Sequence, residues 1–141
     1  MTGFLLDTNV ISELIKARPQ PQVAAWIEAV DEGLLHLSVL TLVEIRKGIA
    51  AHPDAGRRAA LNVWLEAELR PRFAGRILPI DASVADRWGL ISGRAQASGK
   101  LLPVIDGLLA ATALEHNLTF VTRNTKDVYQ AGALVFNPWE T

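Results

Sequence analysis

Asp7, Glu44 and Asp106 each break an apolar run. Asp7 ends Phe4-Leu5-Leu6, Glu44 stands between Leu40-Thr41-Leu42-Val43 and Ile45, and Asp106 divides Leu101-Leu102-Pro103-Val104-Ile105 from Gly107-Leu108-Leu109-Ala110-Ala111. Withdrawing an ionised carboxylate from water is costly unless a counter-charge meets it. No lysine or arginine adjoins Asp7 or Asp106 in sequence. Acids gathered in one pocket repel one another, and a divalent cation is the simplest partner that makes such a gathering stable.

Each acid also has a purely structural reading. Asp7, directly after a strand, suits a helix N-cap, although no Glu or Gln stands three residues on to complete a capping box. Glu44 shares its helical face with Thr41 and Gly48 while Arg46 points nearly the opposite way. The alternative for Glu44 is an exposed pair with Lys47, three residues on. Asp106 falls in the first turn of an apolar helix, where the helix dipole favours negative charge. Ala110 and Ala113 lie on its face and would keep space open, and the alternative is bonding to the free N–H groups of that turn. Thr122-Arg123-Asn124-Thr125-Lys126-Asp127 offers hydroxyls, an amide, two cations and an acid, or else an ordinary polar turn. Arg46, Arg123 and Lys126 are candidates to hold phosphates, whereas most other cations read as a solvated face. His36, His52 and His116 show no metal-ligand spacing, and His116 at a helix end complements the dipole. Trp26, Trp64, Trp88 and Trp139 read as core or interface.

The elements that must position these residues alternate. Strands are expected at Phe4 to Leu6, Leu34 to Ser38, Arg76 to Ile80, Leu118 to Val121 and Ala133 to Phe136. Helices are expected at Val10 to Lys16, Val23 to Asp31, Leu40 to Ala51, Ala55 to Leu69, Ser83 to Ala97 and Val104 to Glu115. The breaker His52-Pro53-Asp54 separates the third and fourth helices, and the last helix is apolar nearly all round, which predicts burial. This alternation indicates an α/β sandwich on a mainly parallel sheet. Ligands in such sheets gather beyond the carboxyl ends of the strands, where Asp7 and Asn124 both fall.

The 141 residues are expected to form one domain spanning 1–141 with a substantial core, being half hydrophobic and 21% charged. A net charge of -1 argues against coating nucleic acid by bulk electrostatics. The absence of cysteine excludes disulfides, thiolate metal sites and cysteine nucleophiles. The start Met1-Thr2-Gly3-Phe4-Leu5-Leu6 reaches Asp7 too soon for a signal-peptide core, and no apolar stretch has membrane-spanning length, so a cytoplasmic address is expected. There is no Walker loop, no Gly-x-Gly-x-x-Gly and no Gly-x-Ser-x-Gly elbow.

Leu5-Leu6-Asp7-Thr8-Asn9-Val10-Ile11-Ser12-Glu13 resembles the opening of PIN-domain ribonucleases, specifically the VapC-like toxins. Thr41-Leu42-Val43-Glu44-Ile45-Arg46-Lys47-Gly48 is similar to their second motif. Ile105-Asp106-Gly107-Leu108-Leu109-Ala110-Ala111-Thr112-Ala113 resembles the third, and Phe120-Val121-Thr122-Arg123-Asn124 the fourth. Phe73-Ala74-Gly75-Arg76-Ile77-Leu78-Pro79 and Val135-Phe136-Asn137-Pro138-Trp139 look like the FitB branch. The resemblance implies a three-layer α/β/α sandwich, Mg²⁺-dependent RNA cleavage with Mn²⁺ as a substitute, and homodimerisation. It further implies a cognate antitoxin with a DNA-binding part, through which alone the toxin meets operator DNA. By position Asp7, Glu44 and Asp106 carry over as metal ligands and catalytic residues. The fourth family position is often aspartate but is Asn124 here, which could bind through its carbonyl oxygen or through water, and Asp127 is a nearby acid that could substitute. Hydrolysis of RNA by metal-activated water is therefore the expected reaction. The alternative is a catalytically weak partner that modulates operator binding by a DNA-binding protein. An antitoxin segment is expected over the Leu40–Ala51 and Ala55–Leu69 helix pair, with Trp64 as anchor.

Overall fold

The computed structural model describes residues 2–140. Met1 and Thr141, the ends of the expected domain and of the N-terminal run, lie outside the described residues. Five strands form the sheet: Phe4–Leu6 (β1), Leu35–Ser38 (β2), Ile77–Leu78 (β3), Thr119–Val121 (β4) and Val135–Phe136 (β5). Their spatial order is β3-β2-β1-β4-β5, and every neighbouring pair is parallel.

Alternation along β1 and β4 splits the core into two faces. Leu6 and its neighbour Val121 pack with Val10, Val23, Leu37, Ile45, Leu65 and Phe73. Leu5 and its neighbour Phe120 pack on the other side with Leu109, Ala110, Ala113 and Val128. Leu5 and Leu6 are fully buried, and each contributes about 1.5–3 kcal/mol of hydrophobic stabilisation. Helices covering both faces give the expected three layers.

On the Leu6 side lie Thr8–Leu14 (α1), Pro21–Ala29 (α2), Val39–Ala51 (α3) and Ala55–Trp64 (α4). Then come a π-helical turn at Leu65–Leu69 and the short Arg70–Arg72 (α5). Ala82–Ala97 (α6) packs on Val104–Glu115 (α7), and Thr125–Gln130 (α8) follows β4. Among the described residues no helix is long and apolar enough to cross a membrane.

Caps set several helix starts. The side chains of Asp7, Ser38, Asp54 and Asp81 accept hydrogen bonds from the backbone N–H groups of Thr8, Leu40, Arg57 and Val84. Capping by Asp7 starts α1 at Thr8, two residues before the expected Val10. Pro21 fits the first turn of α2, where its missing N–H is no loss. The expected continuous helix to Leu69 widens instead after Trp64. Pro71 cannot donate to the carbonyl of Ala67, and its ring crowds that carbonyl, so the chain takes up the strain in the turn before it. Strand β3 is shorter than Arg76 to Ile80 because Pro79 has no N–H for the ladder. The segment read as a polar turn begins α8 at Thr125.

Gly107 fixes how closely α6 approaches α7. A Cβ there would lie 1.9 Å from Cζ3 of Trp88, well inside van der Waals contact. The residue after Asp106 is therefore glycine for packing reasons, and the Trp88 ring seats the start of α7.

Candidate active site

Strands β1, β2 and β4 are neighbours in the sheet, and candidate site residues follow each of them. Asp7 follows β1, Glu44 lies on α3 just after β2, and Thr122 follows β4. Asp106 lies in the first turn of α7, on the Leu5 side of the sheet.

Asp7 is the most firmly held member. Its Oδ1 accepts from the Thr8 backbone N–H at 2.8 Å, and its Oδ2 accepts from Thr122 Oγ1 at 2.7 Å and from Asn9 Nδ2 at 3.2 Å. Thr122 is fully buried and its Oγ1 also accepts from the Asn124 backbone N–H at 3.0 Å. Asp7 is thus a helix cap whose second carboxylate oxygen is held by Thr122, the residue after β4. Glu44 is exposed and its Oε1 accepts from Thr8 Oγ1 at 2.7 Å. It forms no ion pair with Lys47 among the described residues. One turn earlier on the same helix the hydroxyl of Thr41 is buried without a hydrogen-bond partner.

Electrostatics show that the acids share one neighbourhood. Burial raises the pKa of Asp7 above its ordinary value; hydrogen bonds from Thr122 and Thr8 oppose this, and the charges of Glu44 and Asp106 add to it. Burial likewise raises Asp106, helped by the charges of Asp127 and Glu44. No arginine or lysine forms a salt bridge with any of these four acids among the described residues. The donor set is all oxygen, which suits a hard divalent cation. Among the described residues no three acids or histidines are drawn together into a finished metal cage.

Several expectations need correction. Ala110 and Ala113 do not open space below Asp106, since both are fully buried in the core with Leu5 and Phe120. Arg46 does not face the cluster, because its guanidinium bonds Asn62 Oδ1 at 2.5 Å and Glu66 Oε1 at 2.6 Å on the neighbouring helix. The charge of Asp127, beyond β4, adds to the raised pKa of Asp106. Asn124 is exposed at the N-cap of α8 and makes no side-chain cap bond. The roles of Thr8, Asn9 and Thr122 in holding Asp7 and Glu44 were not anticipated. The cue was present in the polar residues immediately following Asp7 and immediately following Phe120-Val121 of β4.

A parallel α/β/α sandwich with an acidic cluster beyond its strands defines a class, and the match to a family is direct. The PIN domain family model covers residues 4–133, and the chain belongs to the PIN-domain family. VapC ribonuclease Y4jK of Sinorhizobium fredii (strain NBRC 101917 / NGR234) is 43% identical over 137 residues, 97% of this chain and 98% of that protein. Toxin FitB of Neisseria gonorrhoeae (strain ATCC 700825 / FA 1090) is 42% identical over 136 residues, 96% of this chain and 98% of that protein. A solved structure of FitAB bound to an IR36 DNA fragment superimposes with a TM-score of 0.90 at 40% identity, covering 96% of this chain and 95% of that one.

Proposed function

We propose that this chain is a divalent-metal-dependent endoribonuclease toxin, acting in the cytoplasm as a homodimer of single PIN-like domains spanning residues 1–141. The observation that carries the proposal is the set of acids beyond the strand ends: the charges of Glu44 and Asp106 bear on Asp7, Glu44 bears on Asp106, and none of the three has a salt-bridge partner among the described residues. The ribonuclease name of the relative Y4jK supports the same reading.

Asp7, Glu44 and Asp106 would hold the cation, with Mg²⁺ preferred and Mn²⁺ as substitute. Asp127 would serve as a further acid, and Asn124 would contribute its amide at the rim. A bound divalent cation lowers the pKa of water and neutralises charge on a phosphodiester. The chain's own residues prepare for that. Thr122, Asn9 and the Thr8 backbone fix the orientation of Asp7, while Thr8 Oγ1 fixes Glu44. The bonds from Thr122 and Thr8 to Asp7 favour its ionised form and oppose the effect of burial.

A cognate antitoxin has a natural seat. A cavity of about 290 Å³ is lined by Ile11, Leu14, Ile15, Trp64, Leu69 and Arg72 among others. A second, of about 160 Å³, shares Ile11, Ile15 and Trp64 and reaches Glu44. An apolar segment in this channel, anchored on Trp64, would end at the acidic cluster, and DNA would be met through the antitoxin. The FitAB structure on DNA supports that arrangement.

The test is cleavage of structured RNA by the partner-free chain in Mg²⁺ or Mn²⁺, beside Asp7→Asn and Asp106→Asn. Loss of about 10³-fold in rate is expected for each variant, with products carrying 5′-phosphate and 3′-hydroxyl ends. Cleavage that survives both substitutions, or 2′,3′-cyclic phosphate ends, would reject the scheme. Metal binding without cleavage by any version would instead favour a partner that modulates DNA binding.

A further inference from the structure

Six of the fourteen lysines and arginines form ion pairs among the described residues. Arg46 and Arg70 meet Glu66, Arg72 and Arg76 meet Glu32, Arg87 meets Glu115, and Lys16 meets Glu13. Arg123 is one of the others, and its place sets it apart: it directly follows the Thr122 that holds Asp7, and its side chain has no carboxylate partner among the described residues. Its guanidinium carbon instead lies 5.3 Å from the centre of the Trp139 ring. Contact with a ring engages the delocalised cation and leaves its N–H donors without an acceptor.

The ring is fixed in place. Trp139 Nε1 donates to Glu13 Oε1 at 3.4 Å, its backbone N–H donates to Asn137 Oδ1 at 2.9 Å, and its carbonyl accepts from Gln22 Nε2 at 3.2 Å. Glu13 is only 4% exposed, and the hydrogen bond from Lys16, first among several contacts, holds its carboxyl below the usual range. The Arg123 backbone is tied as well, its N–H to Asn9 Oδ1 and its carbonyl to Asn137 Nδ2, both at 3.4 Å. Asn9 also donates to Asp7, so the loop carrying Arg123 and the acidic cluster share one hydrogen-bond framework.

We propose that Arg123, carried on Trp139 at the rim of the acidic cluster, grips a backbone phosphate of the RNA strand beside the bond to be cut. The inference rests on the nuclease reading above. A polyanion approaching uncompensated carboxylates needs a local cation, and a net charge of -1 supplies no diffuse one. A guanidinium with unoccupied donors matches phosphate geometry in a way that an ammonium does not.

The experiment measures binding of a single-stranded RNA oligonucleotide to the partner-free chain in the uncleaving Asp106→Asn background. It compares Arg123→Ala, Arg123→Lys and, as a control for total charge, Arg57→Ala on the exposed start of α4. Cleavage kinetics are then taken with Asp106 restored. Arg123→Ala should weaken binding about five- to tenfold, lower the log K against log salt slope by about 0.7, and raise KM with kcat within about twofold. Arg123→Lys should keep the salt slope with intermediate affinity, and Arg57→Ala should change neither. Equal affinity and slope for Arg123→Ala and its parent would overturn the assignment, as would an equal loss from Arg57→Ala. A wild-type chain that binds RNA through Arg123 but never cuts it would sink the nuclease reading and leave the phosphate grip standing. A chain that cuts with KM indifferent to Arg123 would do the reverse.

Discussion

Glu32 and Asp106 are both acids in the first turn of a helical segment, and their surroundings are opposite. Glu32 accepts from Arg72 at 3.1 and 2.8 Å and from Arg76 at 2.9 Å, and these arginines hold its carboxyl below the usual range. Asp106 faces Asp127 and Glu44 instead, and burial with those charges pushes it above the usual range. The same chain therefore neutralises an acid where it serves the fold and leaves acids unneutralised beyond the strand ends. Such an uncompensated group is a cost to stability that function can explain.

The largest test of this contrast lies in the bonds that hold the cluster. Thr122→Val removes the hydroxyl on Asp7 Oδ2 while keeping the buried volume. Metal affinity, read by titration, should fall about 10–100-fold, the range for loss of a residue that orients a ligand. An unchanged affinity would mean that Asp7 needs no such support.

Next in size is the paired acid. Glu32→Gln should destabilise the chain by about 0.5–1 kcal/mol in denaturant unfolding, because Glu32 is partly exposed and bridges two arginines. Asp106→Asn should act in the opposite direction, stabilising the metal-free chain by roughly 0.3 kcal/mol at neutral pH, since solvent screens much of the repulsion. If both substitutions destabilise equally, the two regions do not differ in the way described.

The smallest effect is the pH dependence, and its sign separates the two acids. Asp7 and Asp106 are raised above their ordinary 3.8, so their contribution is fully present below that value and is lost as pH rises through the folded pKa. Glu32 is lowered below its ordinary 4.5, so its contribution is present above that value and is lost as pH falls through the folded pKa. Comparing thermal unfolding of wild type and Asp106→Asn from neutral pH down to 3.8, the advantage of the variant should shrink as the acid protonates. An advantage that grows on acidification would reverse the assignment.

The three buried-looking acids and the parallel sheet were legible because both leave marks in one dimension. A charge within an apolar run is visible as such, and short apolar strands alternating with helices admit few arrangements. What could not be read depended on through-space partners. Arg46 looked available until α4 supplied Asn62 and the π-helical turn after it supplied Glu66. Ala110 and Ala113 looked like open space until Leu5 and Phe120 filled it. The π turn required knowing how the chain absorbs Pro71. Helix α8 was masked by Thr125, Lys126 and Asp127, polar residues that suit a helix start as well as a turn. That helix carries Asp127, whose charge adds to the raised pKa of Asp106.

The measurement that bears most directly on the central claim is anomalous diffraction from a crystal of the chain soaked in Mn²⁺. The account predicts one strong peak among the carboxylates of Asp7, Glu44 and Asp106, abolished in Asp7→Asn. A peak elsewhere, or none at a concentration that supports RNA cleavage, would contradict it.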